Sequence, residues 1–195
     1  MPALLNWVAS AFGTKDMDAI KEQTWCYEPM GSHTARYASI CALWYEYTGD
    51  EKFRDEALRY FNLATYMTDA NGVVQVDPNW PSSWFSDGYG DYIRHFMEGI
   101  AAVPEWSPAE ENHLLKSSTI IQNIDYQNDK IVYSTFDKAS AEVLRLSKKP
   151  KKIVADKKPV SGDVKKESHY QWIDLDKGGI LVIKTAEGNN IEIEL

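Results

Sequence analysis

The spacing of apolar residues changes period partway along this chain, and that change restricts it to folds in which helices precede strands. Up to about Ser107 the apolar positions recur as they do on helices, and beyond Ser117 they alternate. Residues 33–47 carry Ala35, Tyr37, Ala38, Ile40, Cys41, Ala42, Leu43 and Trp44 around nearly the whole circumference, which predicts a helix buried on all sides. T-G-D at residues 48–50 supplies a glycine stop and an aspartate start, the chemistry of a tight turn between antiparallel helices. In residues 51–67, Phe53, Ala57, Tyr60, Phe61 and Ala64 fall on one stripe with charges around the remainder, so this helix is one-sided and outer. D-A-N-G at residues 69–72 closes the hairpin, and V-V-Q-V-D-P reads as a brief extended piece. A third helix is expected at about residues 88–103, ending before Pro104, with Tyr92, Ile93, Phe96, Met97, Ile100 and Val103 as its apolar surface.

The second half reads as strands. Ile120, Ile124 and Tyr126 alternate with polar residues, Q-N-D-K turns, and I-V-Y-S-T-F returns. Further strands are expected at 143–147, 152–155, 170–174, 180–184 and 191–195, separated by D-K-K-P, D-K-G-G and E-G-N-N. The fold class is therefore α+β: antiparallel α-helical hairpins over residues 1–112, then a C-terminal antiparallel β-sandwich over 113–195. The lysine-rich residues 148–166 lack aromatics and have acids nearby, which suits a solvated strand edge and loop.

Charge excludes one class of partner. The net charge is -8, and residues 1–110 hold 7 basic and 16 acidic side chains against 14 and 13 in the remainder. An acidic first half does not supply the clustered cations that phosphate backbones require, so nucleic acid is not an expected ligand. Cys26 and Cys41 have neither metal-ligand nor redox spacing; Cys41 fits a small buried hydrophobe, with a disulfide between the two left open. Residues 1–13 are apolar but lack a basic leader and fall short of a membrane span, so they read as a helix of the fold, and no membrane partner is expected. No H-E-x-x-H or equivalent spacing calls for a metal, and no cofactor is expected.

Two tracts carry the candidate chemistry. W-P-S-S-W-F-S-D-G-Y-G-D-Y-I-R-H-F at residues 80–96 and W-C-Y-E-P-M-G-S-H-T-A-R-Y at 25–37 mix aromatic faces with titratable groups, as a sugar ring requires: CH groups stack and hydroxyls need polar partners. Because the intervening helix reverses the chain, the helices following the two tracts should begin at the same end of the bundle, which makes a shared cleft. Trp25, Tyr27, Trp80, Trp84 and Tyr89 are the ring platforms. Glu28, Asp87 and Asp91 are the candidate acid, base or nucleophile. Asp87 and Asp91 lie one turn apart, close for a pair flanking a glycosidic bond, where separations of about 5 to 10 Å are usual, so Glu28 with one of them is the better pair. Ser86 or Asp87 equally serves as a helix cap. His33 and His95 are candidate proton shuttles, or base partners to Tyr37 or Tyr89. Arg94 either binds a uronate carboxylate or pairs with Asp91 and Glu98, the solvated-stripe alternative for a helix face on which Asp91, Arg94, His95 and Glu98 recur at helical spacing. Trp7, Trp44 and Trp106 read as core or interdomain anchors, and Trp172 as filling the sandwich.

With these residues in view, the chain resembles the six-hairpin glycosidase-like superfamily. The likeness rests on H-T-A-R-Y-A-S-I-C-A-L-W-Y-E-Y-T-G-D-E-K-F-R-D-E-A-L-R-Y-F, on W-F-S-D-G-Y-G-D-Y, and on P-K-K-I-V-A-D-K-K-P-V followed by G-G-I-L-V-I-K. It covers most of the chain, is architectural, and matches no catalytic motif residue by residue. The resemblance implies the C-terminal part of an (α/α) toroid with an attached β-sandwich, and a glycoside hydrolase-like domain binding an oligo- or polysaccharide in an aromatic-lined cleft. Its alternatives are a polysaccharide lyase of the same architecture and a noncatalytic carbohydrate-binding or structural domain. It also suggests a periplasmic or extracellular setting. A complete toroid needs several hundred residues, so upstream helices of a longer parent chain or a homo-oligomer are expected to cover the open face, and the isolated chain is expected to be of doubtful activity.

Overall fold

The computed structural model describes residues 20, 31–66, 68 and 89–195, with the backbone alone at 89 and 90. It divides into two compact units, Met1–Val103 and Pro104–Leu195. The fold is α+β, with helices in the first unit and two antiparallel sheets in the second. The expected N-terminal helix, the D-A-N-G turn and the extended piece lie outside the described residues.

Helix α1 spans Gly31–Thr48, α2 Glu51–Thr65 and α3 Tyr89–Ala102. The α1–α2 turn follows the sequence chemistry: Gly49 takes φ +73°, its N–H reaches the Tyr45 carbonyl at 2.7 Å, and the Asp50 side chain accepts from the Lys52 N–H at 3.1 Å. Tyr37 meets Tyr60 with ring centroids 4.6 Å apart, Trp44 meets Phe53 at 6.2 Å, and Tyr45 donates to Glu51 at 3.2 Å. Residue numbers rise along α1 as they fall along α2, so the two are antiparallel. On the other side, Tyr92 donates to the Ala64 carbonyl at 2.9 Å, while Phe96 packs on Phe61 at 4.7 Å. A Cβ on Gly99 would lie 2.4 Å from the Phe61 ring, which fixes how close α2 and α3 come. Helix α3 is thus also antiparallel to α2 and runs in the same direction as α1.

One expectation about α1 does not hold. It is buried where it meets its neighbours, through Ala35, Ala38, Cys41 and Ala42, but Ile40, Leu43 and Tyr47 form a stripe at i, i+3 and i+7 that faces solvent, with Tyr47 84 % exposed. Trp44, expected as a core or interdomain anchor, is half-exposed and leans on Tyr47 and Phe53. On α3, Ile93 and Met97 are likewise exposed, on the side opposite His95, which turns toward α1. An apolar circumference states what a helix tolerates as neighbours; it does not supply them.

The second unit opens with a 3-10 turn at Pro104–Trp106 and continues through nine strands: β1 His113–Ser117, β2 Ile121–Tyr126, β3 Lys130–Thr135, β4 Ser140–Leu146, β5 Lys152–Ala155, β6 Lys158–Pro159, β7 His169–Asp174, β8 Gly179–Thr185 and β9 Asn190–Glu194. They form two antiparallel sheets, ordered β1-β4-β8-β7 and β2-β3-β9-β5-β6. Leu144 pairs with Leu181 in the first, and Tyr133 pairs with Ile191 in the second. The inward residues of both sheets make one apolar cluster that includes Ile131, Leu144, Leu146, Ile153, Leu181, Ile183, Ile191 and Ile193. Each such side chain contributes about 1.5–3 kcal/mol on burial. Strands β1 and β6 were not expected. The first breaks its alternation at a bulge between Leu114 and Lys116, and the second is two residues long. The lysine-rich stretch forms the β5–β6 edge, where Lys158 lies 3.8 Å from Glu187.

Candidate functional site

Since α1 and α3 are both antiparallel to α2, their first turns lie at one end of the helical layer, together with the last turn of α2. Gly31 and Tyr89 open those turns, so each ring-rich tract runs directly into a helix that starts at this shared end. His33 sits half-buried in the first turn of α1, and Ile20, upstream, donates its N–H to Thr34 Oγ1 at 3.0 Å. Glu28, Asp87, Trp25, Tyr27, Trp80 and Trp84 lie outside the described residues, as does the Tyr89 side chain, although residue 89 opens α3.

Asp91, Arg94 and Glu98 follow the solvated alternative. Arg94 Nη2 is 3.6 Å from Asp91 and its Nε is 3.4 Å from Glu98, with all three side chains substantially in water. Such a pair contributes little to stability. It leaves Asp91 solvated beside a cation.

His95 departs from that stripe and is buried between α3 and α1 at 3 % exposure. Its Nδ1 lies 3.4 Å from Ser39 Oγ and 3.2 Å from Glu98 Oε2. The Ser39 hydroxyl already donates to the Arg36 carbonyl at 2.8 Å, and a carboxylate only accepts, so Nδ1 carries a hydrogen. A nucleophilic serine relay places serine and acid on opposite ring nitrogens. Here both use one nitrogen, so Ser39, His95 and Glu98 form a positioning cluster and not a triad. His95 follows Tyr89 by six residues, which sets it roughly 9 Å along the helix from the shared end.

Tyr37, the possible base, donates to Glu56 Oε1 at 2.5 Å. That bond, with burial, pushes its hydroxyl well above the usual tyrosine range, so it keeps its proton. Cys41 is a free, buried thiol, pushed up chiefly by burial.

Two ionisable groups in the strand-rich unit were not singled out from sequence. Glu142 is fully buried on β4, accepting from Tyr133 at 3.2 Å and from Ser117 at 3.3 Å; burial pushes its carboxyl up and pushes the Tyr133 hydroxyl up beside it. Strict alternation with Leu144 and Leu146 was the available signal that Glu142 points inward. Arg145 occupies the opposite face of the same strand, yet it too is buried.

Among the described residues no cluster of histidine, cysteine and carboxylate side chains could hold a metal ion, and no helix is long and apolar enough to cross a membrane. No protein-family model, curated protein or solved structure matches this chain.

Proposed function

We propose that this chain is the C-terminal, glycan-binding part of a glycoside hydrolase-like protein, in which α1 to α3 are a sector of an (α/α) toroid and the two sheets are a β-sandwich. The observation that carries this reading is the common direction of α1 and α3: both helices start at the same end of the layer, and each is immediately preceded in sequence by a tract rich in Trp, Tyr and carboxylates. The uncovered stripes at Ile40 and Tyr47 on α1 and at Ile93 and Met97 on α3 support the sector reading, since a helix array cut on two sides exposes faces meant for further helices or a second copy. Glu28 and Asp87 are the carboxylates that best suit chemistry, because Asp91 is engaged by Arg94 in water. The lyase alternative loses Tyr37 as a base, for Glu56 holds its proton in place.

Glycan binding and release of reducing ends, measured on the full chain with a panel of neutral and uronate-containing oligosaccharides, test the proposal. Binding by the parent and a loss of tenfold or more in Trp80→Ala/Trp84→Ala are expected, in line with the stacking and burial of two rings. Glu28→Gln should bind as the parent does while abolishing any turnover. An ultraviolet-absorbing unsaturated product would transfer the chain to the lyase class. Binding without turnover, unchanged in Asp87→Asn/Asp91→Asn, would make it a noncatalytic module. A parent that binds no member of the panel would remove the proposal.

A further inference from the structure

We propose that Glu142 is a pH-sensitive latch within the strand-rich unit: its buried carboxyl holds the C-terminal end of the edge strand β1 in place while protonated and lets that end go once ionised. The device is independent of the helical tracts and of the function proposed above. Glu142 lies in a row of side chains that crosses both sheets. In its own sheet it is flanked by Ser117 on β1 and Ile183 on β8. From the other sheet Tyr133 donates to it at 3.2 Å, and Tyr133 is flanked in turn by Ile124 on β2 and Ile191 on β9. One buried carboxyl thus ties three strands together, β4 to β3 through Oε2 and Tyr133, and β4 to β1 through Oε1 and the Ser117 hydroxyl at 3.3 Å.

Among the described residues no cation answers the charge of an ionised Glu142. The groups that face it are the hydroxyls of Ser117, Ser140 and Tyr133 and the aliphatic Ile183. Of these only Tyr133 titrates, and its hydroxyl, pushed up by burial beside Glu142, keeps its proton. The cations of the flanking strands belong to the opposite face. Arg145 lies there on β4, Lys116 on β1 pairs with Val143 of that face, and Lys184 on β8 is exposed. His113, the other titratable residue of β1, pairs with Arg145 and sits 3.5 Å from Glu111. Hydroxyls donate to a carboxylate but carry no charge, so ionisation in place leaves an unpaired buried anion.

Of the strands tied at Glu142, β1 is the one that can move aside to admit water. Strand β3 is held between β2 and β9, and β4 between β1 and β8, whereas β1 is an edge strand paired with β4 alone. Its ladder is interrupted at the bulge between Leu114 and Lys116, and every one of its residues keeps some exposure. Its C-terminal end closes directly beside Glu142. Ser117 Oγ accepts the Thr119 N–H at 3.2 Å, Ser118 donates its N–H to the Ala141 carbonyl at 2.9 Å, and Ser118 Oγ accepts the Ala141 N–H at 2.9 Å. When this end lifts, the carboxyl gives its proton to water and the carboxylate is hydrated. The closed form therefore prevails at acid pH and yields as pH rises through the raised value of the buried carboxyl.

Amide hydrogen exchange of the full chain at pH 5 and pH 8, normalised to the intrinsic rate at each pH, tests the latch. The amides of Ser118, Thr119 and Ala141 should lose roughly fivefold or more of their protection between the two, and low urea should leave their exchange nearly unchanged, as for a local opening. The Val160 N–H, bonded to the Ile153 carbonyl at the β5–β6 edge, should show no such step. Glu142→Gln, which does not ionise, should abolish the step, whereas His113→Gln should keep it. Should Glu142→Gln fail to fold, the urea dependence of the parent still decides. Exchange at Ser118, Thr119 and Ala141 that accelerates with urea as steeply as at Leu181 and Ile193 would mean unfolding of the whole unit, and overturns the latch. So does the absence of a step in the parent, its persistence in Glu142→Gln or its loss in His113→Gln.

Discussion

Leu181 on β8 and Ile40 on α1 are both aliphatic residues in the middle of regular elements, yet the first is 0 % exposed and the second 56 %. The strand-rich unit encloses Leu181 in one apolar cluster made by residues of both of its sheets. Among the described residues α1 packs against α2 and α3, and its remaining stripe at Ile40, Leu43 and Tyr47 is exposed. Closure in the strand-rich unit is internal, whereas closure in the helical unit awaits a surface that the described residues do not provide. The two units should accordingly respond to substitution in opposite ways.

The largest effect is expected at Leu181. Leu181→Ala removes buried atoms and leaves a cavity between the sheets, at a cost of about 2–5 kcal/mol. Urea denaturation followed by circular dichroism should show the lower midpoint in the transition that carries the β signal. A loss under about 1 kcal/mol would mean that the sheets are less tightly joined than their shared cluster implies. Next in size is Gly99→Ala, which sharpens the contrast by probing a closed part of the helical unit. The added methyl would fall 2.4 Å from the Phe61 ring, and displacing that ring costs about 1–3 kcal/mol. Thermal melting of the helical signal reads it, and an unchanged melting temperature would show that α2 and α3 are loosely seated.

Much of this contrast was legible in the sequence, for reasons that differ between the units. Alternation in I-E-I-E-L fixed both the existence and the inward face of β9, because a period of two admits only one buried side, whereas the continuous apolar run in G-I-L-V-I-K marked β8 as a strand without selecting a face. The glycine and aspartate of T-G-D fixed the α1–α2 turn, and the reversal that follows placed the starts of α1 and α3 together. Burial of α1 was not legible, since the residues around Ile40 say nothing about whether a neighbour exists. His95 was grouped with Asp91, Arg94 and Glu98 by spacing alone; it sits at the edge of that face, where Ser39 draws it inward. Glu142 and Arg145 went unread because a charged residue within a strand is normally assigned to water, and only tertiary packing buries both.

Glu142 allows the closed unit to be tested through pH. Burial raises its folded-state carboxyl above the unfolded value, so the folded chain binds the extra proton more readily. Stability from this group is complete below the ordinary glutamate range, where both states are protonated, and declines as pH rises through the raised folded value. Glu142→Gln keeps an oxygen for Tyr133 and Ser117 but cannot ionise. Urea midpoints between pH 4 and pH 8 should therefore fall less steeply with pH in the variant than in the parent, and the variant should be the more stable of the two at pH 8. A variant less stable than the parent at pH 8 would show that the ionised carboxylate is better accommodated than its burial indicates.

The smallest effect is expected on the open side of α1. Ile40→Gln removes a side chain that is more than half in water, so its cost should stay within about 0.5 kcal/mol. Tyr47→Ser should behave similarly, for its ring touches only the half-exposed Trp44 among the described aromatic contacts. Melting temperature and sedimentation measured together give this pair its force. Small changes in both leave the contrast with Leu181 intact and identify the stripe as solvent-facing in the isolated chain. A loss at Ile40 comparable to that of Leu181→Ala would break the contrast, because an exposed residue cannot lose burial it never had. If that loss came with a shift from dimer to monomer, the missing neighbour of α1 would be a second copy of the chain. If the mass stayed that of a monomer, the covering surface would have to come from residues outside those described, and the helical unit would be as closed as the strand-rich one.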